Sequence, residues 1–147
     1  GLGGYLTWTA VSREIVKNGK AKKVLPCEIH NGKYLKIGKL WFYHGNHYGG
    51  IAHARNHLLR LGANVMYGHH HDIQMASVTH IDGPKSAWSI GCLKDMSDEA
   101  NGWLGNRKTN WQHAFAVVDY FADGDFTVHV VNIIDGRTSL WGKVLNA

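Results

Sequence analysis

Hydrophobic and polar positions along the chain fall into two different rhythms. Leu40-Trp41-Phe42-Tyr43 is a short continuous apolar run, which predicts a strand covered on both faces. The loop His44-Gly45-Asn46-His47-Tyr48-Gly49-Gly50 follows. Ile51 to Leu61 then takes helical spacing, with Ile51, Ala54, Leu58 and Leu61 on one face and Gly62 placed to end it. Ala63 to Tyr67 predicts a second strand, closed by Gly68-His69-His70-His71. Strand, helix, strand in this order is a βαβ unit with parallel strands. It puts His44 and the His69–His71 group at strand C-terminal ends, where parallel α/β sheets place ligand sites.

The remainder predicts a mainly antiparallel arrangement. Strands are expected at Gln74 to His80, Ala87 to Ile90, Ala114 to Phe121, Phe126 to Ile134 and Ser139 to Trp141, with turns at Asp82-Gly83-Pro84, Asp123-Gly124 and Asp135-Gly136. The alternation through Phe126–Ile133 predicts a strand covered on much of both faces. Residues 94–110 read as a polar insertion with a short helix around Ser97 to Asn101. Residues 1–38 are the least patterned: a short helix over Thr7 to Val16, a basic turn from Lys17 to Lys23, and a strand Val24 to Ile29. That strand is expected to turn at Asn31-Gly32 into Tyr34–Ile37. The basic turn reads as a solvated loop, with a phosphate-backbone contact as the alternative. One domain spans 1–147, made of an irregular segment over 1–38 and a patterned part over 39–147.

Composition narrows the class. Aromatic residues make up 11% and charged residues 18%, which excludes disorder, and 2 prolines exclude a proline-rich chain. No apolar run approaches the roughly 20 residues of a membrane helix, and the first ten residues lack a signal-peptide pattern, so no membrane partner is expected. Cys27 and Cys92 do not make a disulfide framework. A reduced, cytoplasmic setting is the default, and a single bridge stays open. The formal charge of +5 favours anionic partners, and 11 histidines are the outlier.

His69-x-His71 after one strand, with His44 after its neighbour, points to metal ligation, because imidazole suits borderline ions such as Zn, Mn, Fe and Ni. His53 and His57 share a helical face at i and i+4. Ala54 stands where a zincin needs Glu, and that face differs from the Ile51/Leu58 stripe, so surface or polar-packing histidines are expected there. A P-loop, a Cys-x-x-Cys pair and a serine elbow are all absent. Ser89 has no assignable base, and Cys92 reads as a small buried residue. Trp103 is the best candidate for an exposed aromatic, with Lys94, Arg107 and Lys108 near it as a nucleic-acid contact.

The order Leu40-Trp-Phe-Tyr-His-Gly, Gly62-Ala-Asn-Val-Met-Tyr-Gly-His-His-His, Trp88-Ser-Ile-Gly-Cys-Leu and Trp111-Gln-His-Ala-Phe-Ala-Val-Val resembles the calcineurin-like metallophosphoesterases. It looks most like phage and bacterial members related to DNA-repair exonucleases. The resemblance covers about Lys36 to Val144. It implies a part of the family's αββα sandwich and metal-dependent phosphoester hydrolysis, with DNA or RNA among the substrates. It implies two divalent ions about 3.5–4 Å apart per complete site, His44 and His69 on one ion and His71 on the other. His47 is then a candidate acid, and Asn46 and His70 are candidate substrate contacts. The family's Asp-x-His, Gly-Asp-x-x-Asp and Gly-Asn-His-Asp/Glu blocks do not occur before His44. The chain therefore resembles the C-terminal half, able to hold one ion or none alone. It implies either a partner chain carrying the other half or self-association through exposed sheet edges. The alternative is a non-catalytic binding or assembly module that kept the fold.

Overall fold

A computed structural model describes residues 33–146. The expected helix over Thr7 to Val16, the strand Val24 to Ile29, the Asn31-Gly32 turn and Cys27 lie outside the described residues. Within them the protein is α/β, mostly strand, with mixed and antiparallel sheets and few helices.

Strands β1 (Leu35–Ile37), β2 (Leu40–Tyr43), β3 (Val65–Tyr67), β4 (Ile73–His80) and β5 (Gly83–Ile90) form a five-stranded sheet in the order β1-β2-β3-β5-β4. Helix α1 (His53–Leu61) links β2 to β3, which lie parallel with Tyr43 opposite Tyr67. β5 also runs parallel to β3, with Tyr67 opposite Ser89, and β4 returns antiparallel as the edge. The sequence pattern groups β5 with the antiparallel strands, whereas its pairing with β3 is parallel. Its place between β3 and β4 explains why Ala87, Trp88 and Ser89 are all buried.

Side-chain alternation sorts the sheet into two faces. Tyr43, Val65, Tyr67 and Ala87 pack with Leu58 of α1, joined by Trp41 and Leu61. Leu40, Met66 and Trp88 point the other way, onto Ala116, Val118, Phe126, Val128 and Val130. Those residues belong to the hairpin of β6 (Ala114–Tyr120) and β7 (Phe126–Asn132), turned by Asp123-Gly124. Layers therefore run helix, sheet, hairpin. Each large apolar side chain buried between them contributes about 1.5–3 kcal/mol.

β7 is covered mainly on one face, because Thr127 and His129 are exposed while Phe126, Val128 and Val130 face the sheet. A last hairpin joins β8 (Arg137–Leu140) to β9 (Lys143–Asn146). Trp141, expected in a strand, instead sits in its turn with φ 48°, beside Gly142. A short helix α2 (Asp98–Asn101) is capped by the Ser97 hydroxyl, which accepts from the Ala100 N–H.

The buried face of α1 keeps Ala54, Leu58 and Leu61 of the expected stripe but loses Ile51 and gains two histidines. Ile51 precedes the helix and is 98% exposed, whereas His53, Ala54, His57 and Leu58 are buried. The reason is what faces them: two tyrosine hydroxyls on the sheet and a carboxylate just before β4, described below. No acidic residue occupies the first turn of α1. Gln74 serves that end instead, accepting from the Ala54 N–H and donating to the Ile51 carbonyl. Gly62, with φ 61°, closes the other end through its N–H to the Leu58 carbonyl.

Candidate metal centre

The register of β2 against β3 decides the first pair. Tyr43 lies opposite Tyr67, so the chain emerges from both strands side by side, and the Gly68 N–H donates to the His44 carbonyl at 3.3 Å. His44 Nε2 and His69 Nδ1 are hydrogen-bonded at 2.9 Å, one ring donating its N–H to the other, with the rings in an edge arrangement. Both imidazoles are exposed to solvent. Burial and the neighbouring His44 push the His69 pKa down, which favours the neutral ring with one nitrogen free of a proton.

His69 and His71 have positive φ, 42° and 61°. Left-handed backbone at a non-glycine residue costs of the order of 1–2 kcal/mol. Hydrogen bonds on both sides hold it. The Gln112 N–H donates to the His71 carbonyl at 2.7 Å, and the Gly91 N–H to the Asp72 carbonyl at 2.9 Å. The twist sends the three histidines different ways. His71 rests against Trp111, ring centroids 5.1 Å apart, and its Nδ1 is buried with no hydrogen-bond partner. Desolvation, then Lys94, lowers its pKa.

His70 turns inward and stacks on His53 at 3.8 Å, its Nε2 donating to the Tyr48 carbonyl. One nitrogen each of His53, His57 and His70 lies within 4.8 Å of the others, so this group could hold a metal ion. It is the only such group of three among the described residues, and the histidines 44, 69 and 71 do not form one. The buried group is also a hydrogen-bonded core. His53 accepts from the Tyr67 hydroxyl at Nδ1 and donates from Nε2 to both oxygens of Asp72 at 2.9 Å. The Tyr43 hydroxyl donates to His57 Nδ1, leaving Nε2 buried without a hydrogen-bond partner. Burial pushes the His57 pKa down to about 4 and raises those of Tyr43 and Tyr67.

Asp72 completes the network by accepting from the Ser89 hydroxyl and the Gln74 amide. Ser89 thus holds a carboxylate and takes no base. The i, i+4 spacing of His53 and His57 was visible in the chain. Their burial was not, because it depends on tyrosines 67 and 43, which the sheet delivers to that face.

His47 lies in the loop after His44. Its Nδ1 meets the Tyr34 hydroxyl at 3.0 Å, and its ring packs on Tyr43. Asn46, in the same loop, is exposed. No helix among the described residues is long and apolar enough to cross a membrane. Comparisons with family models, with curated proteins and with solved structures found no match to this chain.

Proposed function

We propose that the loops after β2 and β3 carry part of a metal-dependent phosphoester-hydrolysing centre. His44 and His69 share one divalent transition-metal ion, and His71 serves a second. The carrying observation is the 2.9 Å approach of His44 Nε2 to His69 Nδ1 at the C-terminal ends of adjacent parallel strands. An ion would replace the hydrogen bond that now joins these two exposed rings, and His71, two residues on in the same loop, keeps a buried Nδ1 without a hydrogen-bond partner. The resemblance in the order of sequence blocks supports the phosphoester chemistry.

Bound divalent ions supply positive charge against the phosphate oxygens and activate water. The chain's own residues do the rest. His44 and His69 offer ring nitrogens in the two strand-end loops, the second of which is tied down at Asp72. Asn46 and His47 orient phosphate, and His47 gives a proton to the leaving oxygen as water displaces it from phosphorus. The other donors of a two-ion centre come from protein outside residues 33–146.

Isothermal titration of the full chain with Mn²⁺ or Zn²⁺ tests this, alongside hydrolysis of bis(p-nitrophenyl) phosphate. Binding lost in His44→Ala and His69→Ala, but kept in His57→Phe, supports the reading. Binding untouched by either of the first two substitutions overturns it. A second reading puts the ion in the buried triad of His53, His57 and His70, favoured by their mutual 4.8 Å spacing. Against it, His53 and His70 lie nearly parallel at 16°, so their in-plane lone pairs do not converge on one point. Loss of binding in His57→Phe with the fold intact selects that reading instead.

A further inference from the structure

The polar insertion between β5 and β6 builds a wall beside the histidine loop. Trp103 is 69% exposed, and its ring lies 6.2 Å from that of Trp111, which in turn touches His71. A cleft of about 490 Å³ opens between this wall and the α1 side. Trp103, Trp111 and Arg107 line one part of it, and His70, the exposed Ile51 and the His53-bonded carboxylate of Asp72 line another. A second hollow of about 700 Å³ continues outward past Arg107 and Lys108, with Asp98 as the single carboxylate in its lining. Lys94 adds its ammonium 5.0 Å above the Trp111 ring, fixed there by the Asn101 side-chain oxygen. Arg107 and Lys108 are exposed and make no side-chain hydrogen bond or ion pair with the described residues.

An exposed indole gives a flat apolar face on which a planar ring can stack. Here it stands over a cleft of the size that takes a small organic group. Its neighbours are cations spaced along the exit path. Flat apolar surface followed by positive charge is the recognition chemistry of a single nucleic-acid strand: a base stacks, and the next phosphates meet Arg and Lys.

We propose that this cleft is a base-stacking subsite for single-stranded nucleic acid, with Trp103 as its platform and Arg107 and Lys108 along the backbone. In the phosphoesterase reading, on which its catalytic use rests, the stacked base aims the adjoining phosphodiester at His69 and His71. Strand binding itself needs no metal.

The test is binding of an eight-residue oligothymidylate to the full chain in EDTA, followed by tryptophan fluorescence and confirmed by anisotropy of a labelled strand. Trp103→Ala weakens binding about tenfold or more, whereas Trp103→Phe largely retains it. Arg107→Ala flattens the dependence of log affinity on log salt by about 0.7. An abasic octamer and polyglutamate bind far more weakly than the oligothymidylate. Absence of oligothymidylate binding overturns the proposal, as does an unchanged affinity in Trp103→Ala. So does equal binding of the abasic strand or of polyglutamate, the latter marking an acidic protein as the ligand. Because chelator is present throughout, a chain that binds the strand yet takes no metal keeps this subsite and sinks only the hydrolytic reading. A chain that takes metal at His44 and His69 yet ignores the strand does the reverse.

Discussion

His53 Nε2 lies 2.9 Å from both carboxylate oxygens of Asp72, in a contact sealed from solvent. It ties helix α1 to the residue that ends the histidine loop. Asp72 also accepts from Ser89 and Gln74, so one carboxylate joins α1, β4 and β5. Removing it strands several buried donors at once. Asp72→Ala is expected to lower stability by about 3 kcal/mol in urea unfolding. A loss below about 1 kcal/mol would show that the network contributes little.

His57 gives the fold a pH dependence with a definite sign. Its folded pKa of about 4 lies below the unfolded value of about 6.5. Between these values the unfolded chain binds more protons than the folded one. Stability therefore rises with pH across that window and is lost as pH falls through it. Urea midpoints in chelator should drop from pH 7 to pH 4.5, and His57→Phe should drop less. Equal slopes for the two proteins would assign the effect elsewhere.

Backbone strain at position 69 separates glycine from alanine. Both substitutions remove the imidazole, but only glycine accepts a φ of 42° freely. His69→Gly is expected to be more stable than His69→Ala by about 1 kcal/mol. Thermal or urea unfolding of the pair decides it. The reverse order would mean that the left-handed turn relaxes when the side chain leaves.

Gly45 is required where the loop leaves β2. Its φ is 103°, and an added Cβ would come 2.5 Å from Cδ2 of the Tyr67 ring. That ring is buried and bonded to His53, so it cannot swing away. Gly45→Ala should cost about 2 kcal/mol. It should also disturb the His44–His69 approach, read as altered imidazole shifts in NMR spectra. Wild-type shifts with unchanged stability would contradict the close fit.

The sheet's first unit was legible because its signals are local. A four-residue apolar run, a helix stopped at Gly62 and a second apolar run leave few arrangements, and β2, α1 and β3 follow them. Turns at Asp82-Gly83 and Asp123-Gly124 likewise carry their own chemistry, and the exposure of Trp103 follows from its polar surroundings. The Trp141-Gly142 turn is not legible in the chain, because an aromatic after Leu140 reads as strand.

What the chain alone determined is which residues could act: His44 at one strand end, and His69, His70 and His71 at another. Tertiary structure decided how they divide. Left-handed backbone at positions 69 and 71 sends His69 to His44, His71 to Trp111 and His70 onto His53, and no spacing rule encodes those directions. It also widened the buried face of α1, adding His53 and His57 to Ala54 and Leu58 while leaving Ile51 in water. A histidine becomes a core residue only when hydroxyls and a carboxylate from distant strands satisfy its nitrogens, and that is a property of the assembled sheet.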